Sequence, residues 1–596
     1  MQLYPPPQQL RQSKAYSARG LRHYLKLSMP ASAPLSSTLG RFAARHGLRL
    51  TFGSASPEAI LLTLTRDTSL ASEHYRLQGK PDGLLLEAGD DRGFYYGLAT
   101  LSQILDQHPA AIPRFTIKDG PDFAHRGVML DISRCKVPTL PTLFELIERL
   151  AALKYNQLQL YTEHTYAFAN HPLVWADASP LTANDILALR DHCRAHFIEL
   201  VPNLNSFGHW ERWLRYPEYH EYAECPDGFT HPLSGQFMPF GSTLKPTRKS
   251  LRLVTELYDE YLPLFDSGMF NIGGDEPWEL GLGATRKRCE QLGTSRVYVD
   301  FLSQIKKIVD RRDRTMMFWS DIVLKEPDAL ALLDRDMIAM NWGYEGNHPF
   351  RRECQQVAAA GLPFYVCPGT SSWNSLTGRT ANAAQNLDNA ARSGLAAGAT
   401  GYLVTDWGDH GHHQYLPISY TGFVLGACHA WNHRGSRRLA AADGINRMFF
   451  GQAAAGVGDI LVDLGRVLEL APSPIRNATI FNRLLFWNMQ HESAATRDIP
   501  AASLEACLGA LSDVAGRLPG MADPLVRSEV QNAIALAQHG IHRLQYFRGL
   551  RSDVQGMRRD LAEAIGQHQD LWLARNRPGG LRESVAHLDR AKAALD

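Results

Sequence analysis

At 596 residues the chain exceeds what one hydrophobic core usually holds, and two to four domains are expected. Apolar residues make up 44% and charged residues 21%, and no run approaches the roughly 18 uninterrupted apolar residues of a membrane span, which excludes an integral membrane protein. Sixty-two Lys plus Arg against sixty-one Asp plus Glu give a net charge of +1, so the chain offers no global field for a polyanion and nucleic acid is not an expected partner.

The first thirty residues contain basic side chains but no apolar core of a secretory signal, which places the chain in the cytoplasm, or in the periplasm if an upstream start adds an export signal. Eight cysteines are scattered without a C-x-x-C pair and read as free thiols, not as a metal or disulfide framework. From Ala59 to Leu105 the pattern runs strand, strand, a Lys80-Pro81-Asp82-Gly83 turn, strand, and then the helical stretch GFYYGLATLSQIL. Residues 1–120 are therefore expected to form a small α/β domain ending in a helix.

From Arg126 onward short apolar runs alternate with amphipathic stretches. The runs are GVMLDIS (127–133), NQLQLYT (156–162), IELVPNL (198–204), MFNIGG (269–274), TMMFWS (315–320), MIAMNW (337–342), PFYVCP (363–368) and GYLVT (401–405). Helical periodicity fills Thr139–Leu153, Ala183–Ala195, Arg248–Tyr261 and Ala381–Ala397 between them. Eight buried strands alternating with helices predict a (β/α)8 TIM barrel over 121–435. Beyond 436 the strand pattern stops and an α-helical domain is expected to 596. Its stripes Val526, Val530, Ile534, Ala537, Ile541, Leu544 and Met557, Leu561, Ile565, His568, Trp572 are free to face the barrel, each other or a second subunit.

Active sites of such barrels lie at the C-terminal strand ends. Arg134 follows the first run, Glu163-His164 the second, Asn205 and His209 the third, and Asp275-Glu276 the fourth. Trp319, Trp342 and Trp373 follow the fifth to seventh, and Asp406-Trp407-Gly408-Asp409 the eighth. Indoles around carboxylates suit a sugar, whose C–H faces stack on aromatic planes while charged groups take its hydroxyls; the plainer alternative is four core tryptophans. In Gly273-Gly274-Asp275-Glu276 the glycines allow a tight turn that aims both acids inward, and crowded carboxylates raise a pKa toward use as a general acid. The alternative for the same residues is an ordinary helix start, where acids favour the dipole. His410, His412 and His413 read as a polar rim in preference to a metal site.

The order of R-G-V-M-L-D-I-S-R (126–134), K-Y-N-Q-L-Q-L (154–160), F-G-H (207–209), N-I-G-G-D-E (271–276) and the tryptophans after strands 5, 6 and 8 resembles glycoside hydrolase family 20, the β-N-acetylhexosaminidases. Residues 93–105 resemble the helix ending that family's small N-terminal domain. The tail resembles the three-domain bacterial members, in which it supports a homodimer. The resemblance implies an exo-acting retaining hydrolase whose substrate supplies its own nucleophile, the 2-acetamido carbonyl, with no cofactor and no metal. Glu276 would be the acid and base, and Asp275 would hold the acetamide N–H. Trp319, Trp342 and Trp407 would wall the sugar, while Arg134 with Asp409 would bind its 3- and 4-hydroxyls. Trp373 stands where many relatives have Tyr. Glu163 replaces an Asp pair and would orient His209, Asn205 stands for an Asp, and Asn374-Ser375 replace an acid after strand 7. The substrate is expected to be a glycan with a terminal β-linked GlcNAc or GalNAc. The competing readings are a metal-dependent barrel amidohydrolase, which chelators would inactivate, and a non-catalytic sugar-binding protein, in which Asp275-Glu276 would be degraded.

Overall fold

A computed structural model describes residues 1–19, 24–27, 33–52, 60–81, 83–109, 111–232, 234–451 and 456–595. The α/β architecture read from the sequence is present, with eight parallel strands in one sheet flanked by helices, a small sheet domain before it and helices after it. Among the described residues no helix is long and apolar enough to cross a membrane.

The N-terminal sheet has seven strands in the order Gln9–Arg19, Ala111–Asp119, Tyr75–Lys80, Gly83–Ala88, Ile60–Arg66, Tyr24–Leu27, Arg49–Phe52. Tyr75–Lys80 and Gly83–Ala88 form the expected hairpin, with Lys80 opposite Gly83; Asp82 of the turn lies outside the described residues. The helix Asp91–Gln107 begins where the Asp90 carboxylate accepts the Gly93 N–H, and its apolar face, including Phe94, Leu101 and Ile104, is buried on the sheet. The domain does not end with this helix, because Ala111–Asp119 returns to the sheet and pairs with both Gln9–Arg19 and Tyr75–Lys80.

The barrel strands are His125–Asp131, Gln157–Tyr161, Glu199–Val201, Met269–Asn271, Thr315–Trp319, Ile338–Trp342, Phe364–Cys367 and Gly401–Asp406. In space they run 3-2-1-8-7-6-5-4, and a parallel bridge between Asn203 and Asn271 closes the ring. Strands buried on both faces read as unbroken apolar runs, which is why all eight show in the sequence. The interior is packed and not a pore. Gln159 Oε1 accepts the side-chain amides of Asn203 and Asn271 at 3.0 Å each, and Met129, Met317, Met340 and Leu403 fill the layer toward the aromatic rim. Threonines set the entry into the barrel helices: Thr139 caps Leu140–Ala152, Thr182 forms a capping box with Asp185, and Thr247 caps Arg248–Tyr261.

After the barrel's last helix, Tyr420–Ser436, the elements among the described residues are all helical, the longest being Pro524–Phe547 and Val554–Arg575. Both apolar stripes are buried inside the chain: Val530, Ala537, Ile541 and Leu544 are at 0% exposure, as are Met557, Leu561 and His568. His568 bridges the helices to the barrel, with its Nδ1 3.0 Å from the Tyr415 hydroxyl and its Nε2 3.0 Å from the Ser584 hydroxyl. The stripes therefore serve intrachain packing and are not open to a second subunit.

Asp119 fastens the N-terminal sheet to the barrel. Its Oδ2 accepts Lys154 Nζ at 2.9 Å and the Tyr75 hydroxyl at 2.5 Å, and its Oδ1 accepts Trp431 Nε1 at 2.9 Å. Asp119→Ala leaves the fully buried Lys154 ammonium without its counter-charge, a loss that typically costs about 3–5 kcal/mol. Urea unfolding should show that loss as a lower midpoint for release of the N-terminal sheet; an unchanged midpoint would mean that water already solvates the pair.

Candidate active site

The fourth barrel strand ends at Asn271 in a turn held from several sides. Gly273 has φ +70° and Gly274 φ +89°. The Gly273 N–H donates to Asn271 Oδ1 at 3.0 Å, the Gly273 carbonyl accepts the Trp319 N–H at 3.0 Å, and the Gly274 carbonyl accepts the Tyr298 hydroxyl at 2.8 Å. A Cβ at Gly273 would lie 1.7 Å from Asn205 Oδ1, so only glycine fits there. The turn throws Asp275 and Glu276 to the top of the barrel, with Glu276 itself at φ +48°, a strained setting of the kind found at functional sites. No helix starts here, since the next begins at Arg286; the acids are placed by the turn and not by a helix dipole.

Asp275 and Glu276 share one imidazole. His209 Nε2 lies 3.2 Å from Asp275 Oδ2 and 3.5 Å from Glu276 Oε2. On the other ring edge Nδ1 faces Arg134 Nη2 at 3.3 Å and Glu163 Oε1 at 3.9 Å. Burial works against a charged ring, but the Asp275 carboxylate outweighs it and pushes His209 up to about 10. Glu276 is shifted above the usual carboxylate range, by burial first; His209 and Arg134 pull it down, Asp275 and Asp409 push it up, and the net is upward.

One cavity gathers these groups with the aromatic rim. His209, Asp275, Glu276 and Arg134 line it together with Trp319, Trp342, Trp373, Trp407 and Asp409. The four indoles thus share one pocket instead of being dispersed through the core. Trp342 stacks on Tyr344 at 5.2 Å and 21°, and Trp407 donates its N–H to the Tyr344 hydroxyl at 2.7 Å. The indole N–H groups of Trp319, Trp342 and Trp373 and the Asp275 Oδ1 are buried without a protein partner, which marks them as groups that a polar ligand would satisfy.

Glu163 does not line the cavity. It sits beneath it, where its carboxylate lies 3.4 Å from Arg134 Nη2 and accepts the Tyr161 hydroxyl at 3.0 Å, so it steadies the guanidinium and imidazole from behind. Asn205 joins this layer by donating to the Tyr161 hydroxyl at 2.5 Å. Arg134 lies 4.5 Å over the Tyr161 ring and 5.0 Å over Trp407. Of His410, His412 and His413, the last two are buried, and His413 donates to the Ser584 carbonyl at 3.0 Å, against the helical domain. Among the described residues, the groups whose ligand atoms lie within 4.8 Å of one another are instead His209, Asp275 and Glu276 at the site, with Glu148, His192, His196 and Asp388, His429, His433 outside the barrel strands.

Three members of the site are missing from the sequence reading. Tyr344 lies two residues beyond the sixth strand and Asn477 comes from the helical region. Asp321, two residues beyond Trp319, has its carboxyl pushed up to about 8 by burial first and then by the charges of Asp275 and Glu276. Its position after a strand end was the available signal; Asn477 carried none.

Gly273→Ala should displace the acid turn. Misplacement of about 1 Å at a reacting group can cost on the order of 10²-fold, so turnover is expected to fall at least that far while circular dichroism stays native. Native-like turnover in Gly273→Ala would show that the turn does not set the position of the acids.

Residues 123–393 match the glycosyl hydrolase family 20 catalytic domain and residues 1–120 match that family's domain 2. The chain is 26% identical over 323 residues to the beta-hexosaminidase of Akkermansia muciniphila, covering 50% of this chain and 64% of that protein. It is 24% identical over 328 residues to beta-hexosaminidase subunit beta of Felis catus, covering 49% and 56%. The chain thus spans less than two thirds of the length of either relative. In fold it is similar to the chitobiase of Flavobacterium johnsoniae, with a TM-score of 0.62 at 16% identity over 100% of this chain and 99% of that one. It is also similar to the exo beta-N-acetylglucosaminidase of Vibrio harveyi in complex with N-acetylglucosamine, with a TM-score of 0.60 at 16% identity over 75% and 76%. With both domains matched in order along the chain and the barrel carrying an aromatic, acid-paired pocket, the protein belongs to glycosyl hydrolase family 20.

Proposed function

We propose that the protein is an exo-acting β-N-acetylhexosaminidase that releases terminal β-linked GlcNAc or GalNAc from glycans with retention of configuration, using the substrate's acetamide as nucleophile. The observation that carries this reading is the division of labour on one turn. Asp275 is buried against the His209 imidazole with one carboxylate oxygen unpartnered, while Glu276 is more open and shifted above the usual carboxylate range, the direction a general acid needs.

In this mechanism the acetamide carbonyl oxygen attacks the anomeric carbon as Glu276 delivers its proton to the glycosidic oxygen, and the aglycone departs as an alcohol. The oxazolinium ion that forms is cationic at the acetamide nitrogen, whose N–H donates to Asp275. Water then gives its proton to Glu276 and opens the ring at the anomeric carbon. Tyr344 lines the cavity, where its hydroxyl accepts the Trp407 N–H and bonds the Thr405 side chain, and it is the group placed to hold the acetamide carbonyl for attack. This role falls to Tyr344 in preference to Trp373, which contributes an unpartnered N–H and a flat wall. Arg134 and Asp409 supply the charged pair for ring hydroxyls.

Aryl β-glycosides of GlcNAc, GalNAc and glucose, assayed side by side, test the reading. The glucoside, which lacks the acetamide, should be nearly inert, and comparable turnover of it would overturn substrate assistance. Chelators should leave turnover unchanged; loss to a chelator with recovery on zinc would reassign His209, Asp275 and Glu276 as metal ligands.

The alkaline limb of the kcat/KM profile follows loss of the Glu276 proton. His209 as a cation lowers the pKa of Glu276, so His209→Gln should move that limb to higher pH. Asp275 as an anion raises it, so Asp275→Asn should move the limb to lower pH, alongside a loss in turnover of about 10²- to 10³-fold from the missing electrostatic partner. Shifts in the same direction would show that the limb belongs to another group.

A further inference from the structure

The barrel does not complete the pocket by itself. On the side of strands 7 and 8, Asn374 Nδ2 donates to Asp409 Oδ2 at 3.3 Å, and the Ser375 hydroxyl donates to the Ser372 carbonyl and accepts the Gly378 N–H. Both residues that follow Trp373 are therefore committed within the protein, and the wall they leave is filled from outside the barrel. The segment 476–479, which belongs to the helical region, crosses the rim there and brings Asn477 into the lining of the cavity.

The segment is fastened on both sides of that residue. The Asn477 N–H donates to Glu345 Oε1 at 2.7 Å, while Arg379 donates to Glu345 Oε2 at 2.6 Å. The Thr479 N–H donates to the Asn374 carbonyl at 3.0 Å and its hydroxyl donates to the Ser375 carbonyl at 2.7 Å. Asn477 has φ +51°, which Asn tolerates better than most side chains. Among the described residues its side-chain amide has no hydrogen-bond partner, although the backbone on both sides is fixed. The residue lines the cavity on a fixed backbone, and its side-chain amide is not consumed by a bond to the described residues, so it can serve a ligand there.

Which part of a sugar it meets follows from the ring of strands. Asn477 rests on the loops after strands 6 and 7, whereas Asp275 and Glu276 follow strand 4, on another arc of the barrel. In a pyranose C1 and C4 are opposite ring positions, so a ring with its anomeric carbon at the acids turns its C4–C6 edge away from them. We propose that Asn477 is a specificity-determining residue that hydrogen-bonds a hydroxyl on the C4–C6 edge of the terminal sugar beside Asp409. The inference rests on the hexosaminidase reading above.

The test uses Asn477→Gly, because glycine keeps the positive φ without strain. Its kcat/KM is measured on the 4-nitrophenyl β-glycoside of GlcNAc and on the 4-deoxy and 6-deoxy forms of that substrate, with the melting temperature as a check on folding. The variant should lose about tenfold on the parent substrate, the usual size of one neutral hydrogen bond to a ligand. It should lose nothing on the analogue that lacks the contacted hydroxyl, and should melt with the wild type. An equal loss on all three substrates would assign Asn477 a structural role, and no loss on the parent would remove it from the pocket; either result overturns the proposal. The wild-type protein answers separately for the hexosaminidase reading. If it cleaves no β-N-acetylhexosaminide, that reading falls, and this inference with it.

Discussion

Two carboxylates carried by consecutive residues on a water-poor turn repel each other, and the site is organised around containing that repulsion. The His209 imidazole stands 3.2 Å and 3.5 Å from the two acids, and Arg134 backs the imidazole at 3.3 Å. Glu163 then lies 3.4 Å from Arg134 and 3.9 Å from His209, so the two cationic groups are held between the acids of the turn and a third carboxylate. Burial alone would neutralise such groups by shifting their protons. The Asp275 carboxylate lets the imidazole stay charged against burial and against Arg134, and the upward shift falls on Glu276, the acid more open to a substrate.

The same constraint accounts for the backbone around the site. The acids can share one imidazole only if the chain leaves strand geometry after Asn271, since alternate residues on a strand face opposite sides. Gly273 and Gly274 make that departure, and Asn205 Oδ1 fills the space that any side chain at 273 would need. The segment after the third strand approaches as closely: a Cβ at Gly208 would meet the Asp275 carbonyl at 2.2 Å. His209 follows at φ +58°, so the imidazole and the acids are delivered by two turns packed backbone to backbone. Their separation is therefore set by main chain and not by flexible side chains.

This also explains how much of the molecule could be read in advance. The eight barrel strands were legible because burial on both faces leaves unbroken apolar runs, and the acid turn because Gly-Gly-Asp-Glu has few uses at a strand end. Gln9–Arg19 was not, since it is an edge strand, polar in sequence and exposed over residues 11–16, that satisfies only one neighbour. The stripes of the last long helices were legible as buried faces, but a period of 3.6 says that a face is covered and not by what. Whether Asp275 and Glu276 opened a helix or a coil was undetermined locally, because Asn205, Tyr298 and Trp319 decide it from other strands and helices. Glu163 was legible from its place after the second strand, whereas Tyr344 belongs to the site through packing across the rim, where it meets Trp342 and Trp407.

Asn477 illustrates the limit most sharply and shows what the helical region contributes. Its position depends on Glu345, which is itself paired with Arg379, and on Thr479 bonding the carbonyls of Asn374 and Ser375. Farther along the same face, the Thr380 N–H donates to the Gly465 carbonyl and the Thr380 hydroxyl to the Val462 carbonyl, so the contact extends well beyond one loop. On the adjoining arc, after strand 8, the helical region reaches the barrel again, where His413 and Ser584 meet and Tyr415 bonds His568 and Asn532. A cavity whose acids, imidazole and indoles all come from strand ends still needs a wall on the side of strands 6 and 7, where Glu345, Asn374 and Ser375 bond the helical region. Supplying that wall from a separately packed layer of helices lets the chemistry remain with the barrel while the shape of the far side is set by residues that no strand has to position.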